Sequence, residues 1–242
     1  MRCRYWYNLG IVITAISVLL CSCTTPVITE TPTKETAISS GASENMIELP
    51  KPQFDSDKSI ESCLIHRRSI RSYSDKALTL QEVSQLLWAA QGITSDRGYR
   101  TTPSAGALYP LEVYLIAGNV QNLSPGIYKY RPASHSLTKQ IDGDQRSALA
   151  NAALMQSWVK ESAADIVITA VNSRTTVKYG ERGIRYVHME VGHAAQNVLL
   201  QAVALEIGAV PVGAFHDDQV SDLLNLPEDE QPLYIIPLGK LR

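Results

Sequence analysis

The spacing of apolar and polar positions changes along this chain, and each change predicts an element. Leu9 to Leu20 is an almost uninterrupted apolar run behind Arg2 and Arg4. It is shorter than the roughly 20 residues that span a bilayer. Residues 24–58 hold few large apolar side chains and are rich in Thr, Ser, Pro and Glu. Such a stretch cannot bury enough surface to offset ordering entropy, so it reads as a flexible tether. Its last part, Leu49-Pro50-Lys51-Pro52, reads as an extended arm against the folded domain.

From Ser59 helical and strand periods alternate. Ile60, Cys63, Leu64 and Arg67 fall on one helical stripe. Thr79 with Glu82 three residues on forms a capping box, and Leu80, Val83, Leu86, Leu87 and Ala90 continue it as a helix that Gly92 stops. Leu111–Ala117 predicts a strand, and Gly126–Arg131 and Ser136–Ile141 a hairpin. Asp144 caps a helix running to about Met155. The β-branched run Asp165–Val171 predicts a strand buried on both faces. Tyr186–Ile207 reads as a long helix ended by Gly208, Ala209–Phe215 as a short strand, Asp217–Leu224 as a helix and Leu233–Leu238 as the last strand. Hairpin and helices are mixed without a regular βαβ repeat, which favours an α+β architecture over a doubly wound sheet. The chain contains no GxGxxG and no G-x-S-x-G, so neither the dinucleotide fingerprint nor the nucleophile elbow is present.

Charge and cysteines narrow the classes. The net charge is −2, and loss of Arg2 and Arg4 with a leader takes the mature chain to −4. That gives no electrostatic footprint for nucleic acid. Cys and His lack zinc-ligand spacing, so no metal is expected. The apolar run ends in Leu20-Cys21-Ser22-Cys23. Residues 1–22 therefore read as an export signal, with Cys23 as the acylated first residue of a lipoprotein. The other reading is an uncleaved single-span anchor. Both place the body at a membrane face outside the cytoplasm.

Four constellations could carry chemistry. Arg67-Arg68-Ser69-Ile70-Arg71 packs three guanidiniums and a hydroxyl into five residues. It is either an anion site, since guanidinium forks match phosphate oxygens, or a solvated basic helix end. Pro103-Ser104-Ala105-Gly106-Ala107-Leu108-Tyr109-Pro110 is a stiffened loop of small residues. It either admits a flat ligand to its backbone or merely leads into the next strand. Lys178-Tyr179-Gly180-Glu181-Arg182-Gly183 puts a proton acceptor beside a proton donor, or is a solvated charged loop. In Ala209-Val210-Pro211-Val212-Gly213-Ala214-Phe215, Pro211 and Gly213 interrupt a strand. The result is either an edge whose N–H groups meet a ligand or a bulge without one.

Together, in this order and spacing, the four resemble the nitroreductase-like superfamily over about Ser59 to Arg242. The Pro-Ser-Ala-Gly-x-Leu-Tyr-Pro loop resembles its SagB-type branch, the thiazoline/oxazoline dehydrogenases of ribosomal peptides. So do Lys178-Tyr179-Gly180, Arg185-Tyr186, Glu190, Gly192-His193, Gln196-Asn197 and the closing Pro-Leu-Gly-Lys. The resemblance implies an α+β sandwich with a central, mainly antiparallel sheet flanked by helices, and a homodimer with flavin mononucleotide (FMN) at its interface. Arg67, Arg68, Ser69 and Arg71 would hold the phosphate and ribityl chain, joined by Lys240 and Arg242. Ser104, Ala105 and Gly106 would lie against the flavin, and the backbone of Val212 and Gly213 would approach its reactive nitrogen. Lys178 and Tyr179 would remove a proton from an organic or peptide-heterocycle substrate as hydride leaves for the flavin. Plain nitroreductases often carry Asn where Ala107 stands and an acid where Gly213 stands, and both departures fit the SagB-type branch. Two further readings remain: a nicotinamide-driven flavin or nitro reductase, and a tethered flavin-binding module without catalysis.

Overall fold

The computed structural model describes residues 46–242. The apolar run, Cys23 as acylation site and most of the tether lie outside the described residues. The strands are β1 (Met46–Glu48), β2 (Leu111–Ala117), β3 (Gly126–Arg131), β4 (Ser136–Asp142), β5 (Ala164–Val171), β6 (Ile207–Ala209) and β7 (Glu230–Lys240). The helices are α1 (Ile60–His66), α2 (Leu80–Gln91), α3 (Arg146–Ala152), α4 (Ser157–Lys160), α5 (Ser173–Tyr179), α6 (Arg182–Ala204) and α7 (Asp217–Leu224). The strands form one sheet in the order β1-β4-β3-β2-β5-β7-β6, and every pairing between them is antiparallel. This is the expected α+β sandwich.

Alternation along the central strands builds two cores. Val113 and Leu115 of β2 and Ile166 and Ile168 of β5 face α2 and α6, meeting Leu86, Leu87, Val187 and Val198. Tyr114, Ile116 and Val167 point to the other side, against Leu149 of α3, Val159 of α4 and Val220 of α7. Burial on both faces is why β5 reads as a continuous β-branched run. The capping box at Thr79 is formed as expected, with Thr79 Oγ1 accepting from the Glu82 N–H at 3.2 Å and Glu82 accepting from the Thr79 N–H at 2.9 Å. Helices α1 and α5 pack on α6.

The structure corrects several boundaries. The expected arm at Leu49–Pro52 packs on the domain, with Leu49 buried and the Pro50 carbonyl accepting from Ser84, but the chain joins the domain earlier than expected, because β1 pairs with β4. Three residues are too few to show a periodicity, and pairing with the edge of β4 makes them a strand. The helix expected from Asp144 to about Met155 is shorter: α3 ends at Ala152, Leu154 and Met155 take left-handed φ of 58° and 61°, and α4 is a separate turn that begins beyond them at Ser157. Asp144 still meets that helix start, accepting from the Arg146 N–H at 3.1 Å. Helix α6 begins at Arg182 and ends at Ala204, where Glu206 turns left-handed at φ 57°. Gly208 therefore does not end the helix but lies within β6, where a Cβ would come within 2.8 Å of Ile70. The strand expected over Ala209–Phe215 is β6 followed by an irregular edge, bridged only at Val212–Ile235. Lys178 and Tyr179 end a helix rather than occupy a loop.

Candidate active site

Two groups of the expected residues assemble. The first surrounds β6. The chain after α1 runs beside it, with the Ile70 N–H donating to the Ala209 carbonyl at 3.0 Å. The arginines thereby stand at the edge that continues to Gly213. Arg67 and Arg71 pair with no carboxylate among the described residues, and the Arg71 guanidinium lies 5.4 Å from the Trp158 ring centroid. Ser69 is exposed. Arg68 behaves differently. Its guanidinium donates to the carbonyls of Ile65 and Arg67 at 2.9 and 2.8 Å, which makes it a cap for the end of α1. The basic-helix-end reading holds for this one arginine.

The irregular edge also divides its roles. Both backbone groups of Val212 are used, in paired hydrogen bonds with Ile235 at 2.7 and 3.0 Å. Its N–H is not available to a ligand, which corrects its assignment as a ligand-facing group. Gly213 is exposed, and its N–H meets no acceptor among the described residues. The chain end contributes less than expected. The Lys240 ammonium is engaged with Glu82, the acid of the capping box, so it does not stand free for a phosphate. Arg242 donates through Nε to the Tyr73 carbonyl at 2.8 Å. That bond leaves its terminal nitrogens unspent.

The second group surrounds the small-residue loop. Pro103 and Ser104 lead into a tight turn over Ala105–Ala107, where Gly106, Ala107 and Tyr109 have φ of 65°, 54° and 47°. The Ser104 hydroxyl accepts from the Tyr109 N–H at 2.9 Å and holds this turn closed. Lys178 and Tyr179 come to it from α5. A Cβ built on Gly106 would lie 2.9 Å from the Tyr179 hydroxyl and 3.0 Å from the Lys178 ammonium. The loop and the Lys178–Tyr179 pair thus lie together, although some 70 residues of sequence separate them. Arg174, one turn before Lys178, secures α5. It pairs with Glu112 at 2.6 Å and donates to the Tyr109 carbonyl at 3.2 Å. Tyr179 also meets Tyr186 edge-on, with centroids 5.2 Å apart.

Glu190 is a component that the sequence motifs leave without a role. It lies on the buried stripe of α6 with Val187, Val191 and Ala194 and is itself buried. Burial pushes its carboxyl up to about 7, opposed by the Ser104 hydroxyl and the Arg100 guanidinium. An acid on an apolar helical stripe was the signal available in the sequence. Arg100 was also missed. It donates to Gln91 at 2.8 Å and stacks 4.5 Å from the Tyr109 ring centroid, fixing the far end of the loop. Among the described residues no hydrogen bond or ion pair joins the group around β6 to the group around the loop.

The model of the nitroreductase family matches residues 64–240. A candidate nitroreductase of Methanocaldococcus jannaschii is 45% identical over 194 residues, covering 80% of this chain and 96% of its own. A candidate nitroreductase structure from Anabaena variabilis is 33% identical with a TM-score of 0.68; the match covers 76% of this chain and 38% of that longer one. A chain in the Escherichia coli microcin synthetase McbBCD complex, with truncated pro-MccB17 bound, is 26% identical with a TM-score of 0.63. That match covers 80% of this chain and 77% of the other. The chain belongs to the nitroreductase family and is an oxidoreductase.

Proposed function

We propose that the protein is an FMN-dependent dehydrogenase or oxidase of the SagB type, taking a proton and a hydride from an organic substrate, a peptide heterocycle among the candidates. The observation that carries this reading is the approach of Lys178 and Tyr179 to Gly106, close enough that a Cβ there would meet both. A flat cofactor on the small-residue loop would have a proton acceptor and a proton donor within reach of whatever lies upon it. The likeness to a chain of a peptide-bound microcin synthetase complex supports the substrate class.

The residues fit the cofactor. Arg67 and Arg71 offer guanidinium forks that no carboxylate occupies, and Ser69 and the Gly213 N–H lie at the same edge. Arg242 is placed to join them. Bound FMN would supply the redox chemistry, accepting hydride at its ring. This chain's part is to hold the phosphate with the arginines, seat the ring on Ser104–Gly106 and receive the proton at the Lys178–Tyr179 pair. The phosphate group and the loop stay unconnected within one chain, and α1 and α6 expose Ile60, Leu64, Ile65, Ile184 and Met189. A homodimer that covers those side chains and brings one protomer's arginines to its partner's loop accounts for both.

The first experiment is the absorption spectrum of the purified protein. A yellow protein that releases FMN on denaturation, and that loses it when Arg67 and Arg71 are both changed to Ala, supports the assignment. Full flavin occupancy in that double variant would overturn the phosphate site. A nicotinamide-driven reductase is the second reading, favoured by the name of the 45%-identical relative. Anaerobic mixing of the oxidised protein with NADH or NADPH separates the two, since rapid bleaching promotes the reductase. Export and acylation at Cys23 belong to the same proposal. They place the enzyme outside the cytoplasm, where the substrate rather than a nicotinamide supplies electrons. Loss of fatty-acid labelling in Cys23→Ser tests them.

A further inference from the structure

A row of charged and polar side chains crosses one end of the sheet, on a face that is otherwise apolar. Tyr114 and Ile116 of β2 point to that face, toward α3, α4 and α7, and strand alternation adds Glu112 to it. Register sets Lys129 of β3 opposite Tyr114, and Thr169 of β5 opposite Glu112. The Lys129 ammonium lies between two carboxylates, 3.2 Å from Glu112 and 3.3 Å from Glu230 of β7. It also stands 5.0 Å from the Tyr114 ring centroid. Glu230 takes the Thr169 hydroxyl on its other oxygen, and Glu112 takes Arg174 on its other oxygen, at 2.6 Å. The side chains of Lys129, Glu112 and Glu230 are 14%, 16% and 2% exposed. Charges this far from water are costly to place, and apolar side chains of similar volume often serve stability as well or better. Stability alone therefore does not account for the row.

We propose that Glu112 and Lys129 are positioning residues for the Lys178–Tyr179 pair. Arg174 is the one member of the row that stands on a helix, and Lys178 follows it by one turn of α5 on the same face. Lys129 screens Glu112 from the like charge of Glu230 and fixes where its second oxygen points. That oxygen sets the Arg174 guanidinium, which reaches on to the Tyr109 carbonyl of the loop at 3.2 Å. One carboxylate thus ties the end of the sheet to both parts of the candidate site. This role deepens the proposed function and rests on Lys178 and Tyr179 acting in proton transfer.

The test needs no substrate. The purified protein is compared with Glu112→Gln, Lys129→Met and Lys129→Arg by hydrogen exchange of the α5 amides. Trace acetylation of Lys178 by acetic anhydride is followed in parallel, with exposed Lys76 as the internal reference. Glu112→Gln and Lys129→Met should each quicken both rates roughly two- to fivefold, the scale of a partly exposed ion pair. Exchange in α2 should stay as it was, whereas a general loss of stability would raise it too. Lys129→Arg should restore most of the original rates. Neither Glu112→Gln nor Lys129→Met should add to the effect of Arg174→Met, because both act through that guanidinium. Lys129→Met leaves two carboxylates without their ammonium. If it does not fold, Lys129→Met/Glu230→Met removes one charge of each sign and carries the same expectation. Unchanged α5 and Lys178 in the folded variants, equal quickening in α2, or full additivity with Arg174→Met would overturn the role. A colourless protein with the expected changes would sink the FMN reading and leave the positioning role standing. A yellow protein with an unchanged α5 would do the reverse.

Discussion

Gly106→Ala separates the geometry of the candidate site from the stability of the fold. The added methyl carries two costs. The backbone cost comes from φ of 65°, a left-handed conformation that residues with a Cβ adopt at about 1 kcal/mol. In a domain of this size that lowers the melting temperature by roughly 2–4 °C. The steric cost falls on the ends of two movable side chains. The methyl would stand 2.9 Å from the Tyr179 hydroxyl, and ordinary contact begins at 3.4 Å. The hydroxyl must therefore retreat by about half an ångström, and the Lys178 ammonium by slightly less. Neither atom is backbone, so the retreat adds little to the stability loss. It does displace the proton-transfer pair from whatever lies on the loop. Misplacement of about 1 Å costs on the order of a hundredfold in rate, so turnover should fall roughly ten- to a hundredfold. Gly98→Ala is the control, because Gly98 has φ of 76° and nothing within 4 Å of its Cβ. It should cost similar stability and no activity. The assays are thermal unfolding, flavin content and turnover per bound flavin. If Gly106→Ala loses no more turnover than Gly98→Ala, the pair does not act at this loop and the proposed chemistry fails.

Contacts elsewhere in the fold set three further outcomes. Arg174→Met frees α5 from Glu112 and the Tyr109 carbonyl; because Arg174 is 41% exposed, stability should change by less than about 1 kcal/mol. Turnover should fall with KM unchanged and partly recover in Arg174→Lys; an unchanged rate would remove Arg174 as a positioning residue. Thr79→Ala removes the acceptor for the Glu82 N–H and should cost about 1 kcal/mol in urea unfolding. Asp165 is wholly buried, and burial raises its carboxyl well above the usual range, so the folded chain holds a proton that the unfolded chain releases. Its contribution is thus most favourable below the unfolded value near 4 and declines as pH rises toward the folded one. Asp165→Asn should flatten that decline in the urea midpoint between acid and neutral pH, and an unaltered slope would show that Asp165 is not its source.

What the chain determined by itself was local or periodic. The Thr79–Glu82 box fixed the start of α2, because both partners lie within one turn. The β-branched run over Asp165–Val171 identified β5, because burial on both faces requires it. The order of helices and hairpin gave the α+β class, and the motif residues near 67–71, 104–106 and 178–179 marked the parts of a site. Tertiary structure decided which of those parts meet. Lys178 and Tyr179 approach Gly106 only because α5 leaves the end of β5 beside the entry to β2, and Arg174 ties them there. It decided that Lys240 answers Glu82, that Arg68 caps α1 and that the Val212 N–H is spent on Ile235. It also decided that Met46–Glu48 is a strand, since an edge strand draws its hydrogen bonds from a neighbour distant in sequence. Glu190 shows the division most clearly. The sequence places an acid on an apolar stripe, but only the packed loop above it leaves one oxygen buried and unpartnered, because hydrogen-bond satisfaction is a property of three-dimensional neighbours.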